Sequence, residues 1–162
     1  MKKSLSVLFS VLLFAFLGLA AAQKFAVYTG YPFGLGGMYY LSEDLRLDGS
    51  LDFVPGGFGL GVGADKIFRK VPIVKQDPFP VNFYFGAGVA AGFASYNIGG
   101  IGGSVIGFGV NGFAGVEYRF AQDFGFFSEV GAGPALGIVS SGGSTSTALT
   151  MDFFGRIGLN FY

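Results

Sequence analysis

The 162-residue sequence contains no histidine, no cysteine and no tryptophan, and only 12% of its residues are charged. Soluble domains carry about 25% charged residues, so an ordinary water-exposed surface is not expected. Without histidine, the usual side chain for proton transfer near neutral pH is missing. Without cysteine, there are no disulfides, thiolate nucleophiles or thiolate ligands for zinc. We therefore expect neither enzyme activity nor a bound cofactor.

Glycine and phenylalanine are abundant instead, with 30 and 21 residues. The 36 residues from Val81 to Val116 include no charged side chain, a pattern that by hydropathy alone predicts membrane helices. Eleven of these residues are glycine, however, and each glycine in a helix interior costs about 1 kcal/mol relative to alanine. The stretch is therefore unlike a helix, and its apolar residues have to be compared with the two-residue period of a β-strand instead.

The N-terminal segment has the three parts of a secretory signal peptide. Lys2 and Lys3 come first, an apolar run from Leu5 to Leu19 follows, and the small residues Ala20–Ala22 end the segment. The apolar run is shorter than the roughly 20 residues that a spanning helix needs, which argues against a retained anchor. We expect residues 1–22 to be cleaved and residues 23–162 to form one domain.

The rest of the chain alternates apolar and polar residues with a period of two. In the last segment, Leu149, Met151 and Phe153 alternate with Thr150 and Asp152. This alternation places the apolar side chains on one face of a β-strand. Eight such apolar rows begin at Phe25, Leu35, Leu45, Phe58, Val81, Ile106, Phe126 and Leu149. The sequence therefore predicts eight strands.

The segments between the rows are polar or rich in glycine and proline. They are Tyr31–Gly34, Ser42–Asp44, Pro55–Gly57, Lys66–Pro80, Ser95–Gly103, Ala121–Asp123 and Ser140–Ser146. Short connections of this kind join antiparallel neighbours. We expect an all-β, up-and-down meander with no internal domain boundary.

Two barrels fit this meander: a soluble ligand-binding barrel with its apolar rows inside, and a membrane barrel with these rows outside. No charged residue of the mature chain lies on an apolar row, and the polar rows carry glycine, tyrosine and balanced charges. Small residues and paired charges suit the narrow lumen of an eight-stranded barrel. A lysine or arginine facing lipid would cost about 2–4 kcal/mol at the midplane. The sequence thus favours an eight-stranded antiparallel up-and-down transmembrane β-barrel.

Charged residues on the polar rows predict a network of ion pairs inside this barrel. Its members are Arg46, Asp48, Asp52, Asp65, Glu117, Arg119, Glu129, Asp152 and Arg156. Because arginines share the interior with Asp48, Asp52 and Asp65, ion pairs are favoured over a bound metal cation. The sixth and seventh strands are neighbours, so we expect Arg119 to pair with Glu129.

The signal peptide, the eight alternating rows and a final strand ending in Leu159, Phe161 and Tyr162 resemble the small outer-membrane barrels of diderm bacteria. The resemblance is to the outer-membrane protein A and X type, and it covers the whole mature chain. It implies residence among the lipids of the cell outer membrane. It also implies that the barrel assembly machinery reads a C-terminal signal, which would be Leu159, Phe161 and Tyr162.

We therefore expect a non-enzymatic, porin-like envelope protein with a structural or surface-interaction role. The absence of a basic excess argues against nucleic acid, and the sequence identifies no surface partner. The alternative is a narrow channel or a barrel that binds a small apolar ligand, because glycines on the polar rows leave space in the lumen. These glycines are Gly86, Gly88, Gly92, Gly107, Gly109, Gly131 and Gly133.

Overall fold

The computed structural model describes residues 24–31, 33–74 and 80–162, and these form eight antiparallel strands in one closed ring. The strands are β1 (Phe25–Tyr31), β2 (Gly34–Tyr40), β3 (Leu45–Val54), β4 (Gly57–Val74), β5 (Val81–Ile98), β6 (Ile101–Arg119), β7 (Phe124–Ser141) and β8 (Ser144–Phe161). The predicted all-β, up-and-down barrel is thereby confirmed. The proposed signal peptide, residues 1–22, lies outside the described residues, so its cleavage stays a prediction.

Within the described ranges, we find no helix with the length and apolarity that crossing a membrane would require.

Each strand pairs with its neighbours in the sequence, and β1 closes the ring by pairing with β8. This seam runs from Phe25 opposite Phe161 to Tyr31 opposite Gly155. The rings of Phe25 and Phe161 stack with their centroids 4.6 Å apart. The seam therefore combines backbone pairing with an aromatic contact at its lower end, where β1 begins and β8 ends.

The two faces of the wall are inverted relative to a soluble domain. Val110 and Phe153 on the outward rows are 54% and 64% exposed. On the lumen side, Tyr84, Arg46 and Glu129 are buried. An exposed apolar band around a polar, filled interior is the arrangement that a lipid environment requires.

A row of hydroxyl side chains marks the upper edge of this apolar band. Ser95 lies opposite Ser104, Ser104 opposite Ser140, and Ser140 opposite Thr145, so the row crosses four strands. Ser104 continues the outward row of Val110 on the same strand. Beyond the row, the strands continue for only a few residues before they turn.

The five last strands are longer than the sequence pattern predicts. The predicted linkers Ser95–Gly103 and Ser140–Ser146 shrink to two-residue turns, Gly99–Gly100 and Gly142–Gly143. All four glycines have positive φ, between 58° and 83°, which lets two residues reverse the chain. Similarly, β4 extends through most of the predicted linker Lys66–Pro80, of which residues 75–79 lie outside the described residues. The predictions for Ser95–Gly103 and Ser140–Ser146 were wrong because glycine, serine and threonine occur in strands as well as in loops. The prediction for Lys66–Pro80 was wrong over residues 66–74 because charged residues also continue a strand there.

Candidate functional site

Arg46 occupies the centre of the lumen and is completely buried. Its Nε donates to Asp65 Oδ2 at 3.1 Å, and its Nη2 donates to Glu129 Oε2 at 2.5 Å. Arg46 and Asp65 are direct cross-strand partners, because β3 and β4 pair outward from the turn at Pro55–Gly56. Glu129 reaches the same guanidinium from β7, across the lumen.

Arg156 adds a second guanidinium beside the first. Its Nη2 lies 3.2 Å from Asp48 Oδ2, and its Nη1 lies 3.6 Å from Asp65 Oδ2 and 3.7 Å from Glu129 Oε1. Arg156 and Glu129 are direct cross-strand partners on β8 and β7. We call Arg46, Asp48, Asp65, Glu129 and Arg156 the central cluster.

Aromatic rings complete the surroundings of the central cluster. The Tyr84 hydroxyl donates to Glu129 Oε2 at 3.1 Å. The Arg46 Cζ lies 4.7 Å from the centroid of the Phe113 ring, and the Arg156 Cζ lies 4.4 Å from that of Phe154. Burying charges is costly unless each is paired and hydrogen-bonded, and ring faces add a further favourable contact for a guanidinium. The cluster is thus a packed ionic layer across the barrel.

A second group surrounds Glu117 near the start of β1 and the end of β8. Glu117 Oε1 accepts from Lys24 Nζ at 2.9 Å and from Asn160 Nδ2 at 3.0 Å. The same carboxylate accepts from Lys70 and from the Tyr162 hydroxyl. We call these five residues the end cluster. Because Lys24 precedes β1 and Tyr162 follows β8, this cluster lies at the end of the barrel where β1 begins and β8 ends.

The nine charged residues predicted to form one network are placed in three ways. Five form the central cluster and Glu117 anchors the end cluster. Asp52, Arg119 and Asp152 belong to neither. Asp52 accepts from Ser50 Oγ at 2.9 Å, and Asp152 from Thr150 Oγ1 at 3.4 Å.

The expected pair of Arg119 and Glu129 does not form. Arg119 donates to the backbone carbonyls of Ala121 and Gln122 in the turn after β6, while Glu129 is held by the two arginines of the central cluster. The prediction was wrong because Arg119 lies near the turn that joins β6 to β7, whereas Glu129 lies well inside β7.

Sequence reasoning missed Lys70, Tyr84 and Asn160, all of which contact a cluster carboxylate. Lys70 fell in a predicted linker. Tyr84 and Asn160 lie on the polar rows of the alternating pattern. Their position on these rows was the signal that could have identified them as lumen residues. In the predicted C-terminal signal, Leu159 and Phe161 lie on the outward row of β8, while Tyr162 joins the end cluster. Recognition of this segment by the assembly machinery stays a prediction.

Glycines in the lower lumen make room for rings on the neighbouring strand. A Cβ atom at Gly115 would lie 2.5 Å from Tyr84 Cζ, and one at Gly158 would lie 2.6 Å from Phe127 Cε1. In both pairs, the glycine lies directly opposite the ring in the strand register. These glycines are therefore part of the filling of the lumen, because each lets a large side chain lie flat across the wall.

This packing predicts that Gly115→Ala destabilises the barrel by about 1–3 kcal/mol, the usual cost of overpacking a filled interior. The added methyl group would meet the Tyr84 ring and, at 2.8 Å, the Ser128 carbonyl oxygen. Gly107→Ala is the matched control on the same strand and face, since no atom lies within 4 Å of its Cβ position. Urea unfolding in detergent, followed by circular dichroism, measures both. Equal stabilities of the two variants would contradict the packing argument.

Above the central cluster the lumen is open, in a cavity of about 450 Å³ that we call the cup. Its lumen-facing wall is made of small residues, Gly61, Ala90, Gly92, Gly107, Gly109, Gly133 and Ala135. Asp52, Asp152 and Arg156 also line it. Of the glycines predicted to leave space, Gly107 has nothing within 4 Å of its Cβ position, but Phe113, Asp65 and Phe154 occupy the space at Gly86, Gly88 and Gly131.

The acidic residues do not gather into a metal site. Across the described residues, no group of three or more acidic side chains is arranged to hold a metal ion. Asp48 and Asp65 face arginine, and Asp52 bonds a serine hydroxyl. Among the described residues, the carboxylates of the central cluster are therefore used for ion pairing, whereas Asp52 and Asp152 bond only hydroxyl groups.

Comparisons with known proteins give structural likeness only. No protein-family model matches the sequence, and no curated protein matches it. The N-terminal β-barrel domain of Pseudomonas aeruginosa OprF is 16% identical with a TM-score of 0.54, covering 85% of this chain and 94% of that chain. Acinetobacter baumannii CarO is 12% identical with a TM-score of 0.38, covering 89% and 99%. The KdgM porin in complex with disordered oligogalacturonate is 9% identical with a TM-score of 0.25, covering 86% and 97%.

The match covers nearly the whole length of the OprF domain. At this level of identity, it shows a shared fold only. The resemblance expected from the sequence is confirmed at that level. The chain therefore has the fold of the small eight-stranded outer-membrane β-barrels.

Proposed function

We propose that the chain is a non-enzymatic integral protein of the outer membrane whose lumen is closed by its own side chains. The observation that carries this proposal is the central cluster. Its five charged side chains come from four strands and are between 0% and 15% exposed. With the rings around it, the cluster places buried side chains from β3, β4, β7 and β8 across the lumen, which is why we expect no wide aqueous path through the described part of the barrel.

The same geometry supports the absence of catalysis. Each carboxylate of the central cluster has an arginine nitrogen within 3.2 Å, so each is committed to an ion pair. A general base needs a carboxylate or imidazole that is free to take a proton from a substrate. The chain is therefore better suited to a structural or surface-interaction role in the envelope than to chemistry.

Planar-bilayer recording tests the proposal. Protein purified from the outer-membrane fraction, and shown to be folded by its heat-dependent gel migration, is expected to give no steady openings. The double variant Arg46→Ser with Glu129→Ser removes one charge of each sign from the centre and is expected to conduct if it folds. Steady conductance by the unmodified barrel would overturn the closed-lumen proposal, and recovery in the soluble periplasmic fraction would overturn the membrane placement.

The second candidate function is the binding of a small, largely apolar ligand. The central cluster argues against a through-channel, but it leaves the cup open above it. A cavity of about 450 Å³ lies within the usual range for small-ligand sites, about 300–1,000 Å³. The observation that favours binding is the small-residue wall around Gly107.

A further inference from the structure

The barrel wall is incomplete above the hairpin of β1 and β2. β8 has 18 residues, of which β1 pairs with seven, Gly155–Phe161. Among the described residues, residues 144–154 therefore have no partner strand on that side, although β7 pairs with them. Across the opening, β2 covers β3 almost to its end, since Gly34 lies opposite Asp52 and the Phe53 N–H donates to the Phe33 carbonyl oxygen. We call this opening the side gap.

The side gap lies at the level of the apolar band. A strand needs about 9–11 residues to cross the hydrocarbon core, but β1 and β2 have seven each. Beside the gap, the outward residues Leu149, Met151 and Phe153 of β8 are apolar and 58–76% exposed. At the end of the short hairpin, Tyr31 and Phe33 are 68% and 78% exposed. Aromatic side chains are typical of the bilayer and its interfaces, so these two residues suit a hairpin that ends at the depth of the bilayer.

Unpaired backbone groups are not tolerated in hydrocarbon, where each costs several kcal/mol. They persist at membrane depth only beside protein or a hydrated cavity. The cup is that cavity, since Asp52 on β3 and Asp152 and Phe154 on β8 line it from the two sides of the gap. The cup therefore opens sideways toward the bilayer as well as upward.

A second copy of the chain does not fit the gap. Strands of such barrels tilt by about 35–45° from the barrel axis. Two copies related by a two-fold axis along the membrane normal would cross their β8 strands at about twice that angle, too steeply for a sheet. The gap is better matched to a narrow molecule from the bilayer.

The free polar groups of the cup define the chemistry of that molecule. Arg156 Nη1 makes no hydrogen bond within the described part of the chain, but the charge of this guanidinium is compensated by Asp48, Asp65 and Glu129. Asp52 and Asp152, in contrast, hold only hydroxyl hydrogen bonds among the described residues. Asn111 also lines the cup, and its buried Oδ1 finds no hydrogen-bond donor within the described part of the chain. Among the described residues, the cup therefore carries two carboxylates without an ion-pair partner, whereas the guanidinium that lines it is already neutralised by the central cluster.

We propose that the cup binds the head group of a single-chain cationic amphiphile whose alkyl chain reaches the bilayer through the side gap. The ammonium group lies between Asp52 and Asp152, and its N–H groups satisfy Asn111. The small wall at Gly107 leaves room for the head group, and the apolar row of Phe153 borders the chain. This inference rests on the proposed placement in the outer membrane.

Nuclear magnetic resonance titration in phosphatidylcholine nanodiscs tests the proposal, with dodecylammonium, dodecanoate and butylammonium as probes. Dodecylammonium is expected to shift the amide signals of Gly107 and Asp152 in a saturable way. Dodecanoate should bind about tenfold or more weakly, the factor that corresponds to 1.4 kcal/mol. Butylammonium should also bind more weakly, because it cannot reach the gap. No saturable shift with dodecylammonium, or equal binding of dodecanoate, would overturn the proposal.

Two variants localise the binding. Gly107→Phe fills the cup and is expected to abolish the shifts, whereas Gly102→Phe, on the outward row of the same strand, should leave them unchanged. Asp52→Asn with Asp152→Asn should remove the preference for the cation, and Glu43→Gln with Asp123→Asn in the opposite turns should preserve it. Binding that survives Gly107→Phe with its shifts unaltered would place the ligand elsewhere and refute the site.

The side gap has its own readout in the same nanodiscs. A lipid with a nitroxide in mid-chain is expected to broaden the amide signals of Gly34 and Phe154, beside the gap, more than that of Gly109 on the far wall. Equal broadening would show that the wall is closed to lipid and would overturn lateral entry. Both measurements are made on the folded barrel in nanodiscs. Their failure is therefore distinct from the two results that would overturn the proposed function, recovery in the soluble fraction and steady conductance.

Discussion

Arg46→Ala is expected to destabilise the barrel by about 3–5 kcal/mol, the cost of breaking a buried ion pair from one side. The variant leaves Glu129 and Asp65 buried without their nearest cation, with only the longer contacts to Arg156 remaining. Urea unfolding in detergent or lipid, followed by circular dichroism, measures the loss.

A double-mutant cycle separates pairing from packing. Arg46→Met and Glu129→Gln are each expected to be destabilising, and the double variant should recover about 0.5–3 kcal/mol relative to their sum. Arg119→Ala is the comparison, since it removes only hydrogen bonds to turn carbonyls and should cost about 1 kcal/mol. Strictly additive effects in the cycle would contradict a coupled central cluster.

Val110→Arg is expected to block insertion of most of the protein, because it places a charge in the middle of the outward apolar row. The cost of arginine near the midplane is about 2–4 kcal/mol, which outweighs any local adjustment of a strand. The fraction of protein that reaches a heat-modifiable, membrane-inserted form measures the effect.

Ser104→Arg provides the control at another depth. Ser104 lies on the same strand and row but within the hydroxyl row, where the same charge should cost only about 0–1 kcal/mol. Equal insertion of the two variants would show that the outward rows do not face hydrocarbon.

The fold and the two faces were predictable because alternation is a local property of a strand. Part of the central cluster was predictable as well. Once the turn at Pro55–Gly56 is located, counting outward places Arg46 opposite Asp65. The same count from Gly142–Gly143 places Glu129 opposite Arg156, but the predicted loop Ser140–Ser146 did not fix that turn to the residue.

The remaining contacts depend on distances across the lumen, which no local pattern contains. Lys24, just before β1, and Lys70 on β4 both reach Glu117 on β6 from distant parts of the sequence, and their meeting requires the closed ring. Arg46 reaches Glu129 because the lumen is narrow enough for one side chain to cross it. The short β1 and β2, in contrast, were predictable, since the predicted linkers Tyr31–Gly34 and Ser42–Asp44 leave only short rows beside them.

The closing seam has a consequence for the order of folding. Every other strand pairing joins consecutive segments, so it forms as a local hairpin, whereas β1 and β8 bring together residues more than 120 positions apart. Bringing β1 and β8 together costs chain entropy before their contacts can compensate for it. Such non-local pairing is therefore slow. An open, curved sheet should therefore form first and persist until Phe25 finds Phe161. Formation of the seven residue pairs of this seam is thus expected to limit the rate at which the barrel closes.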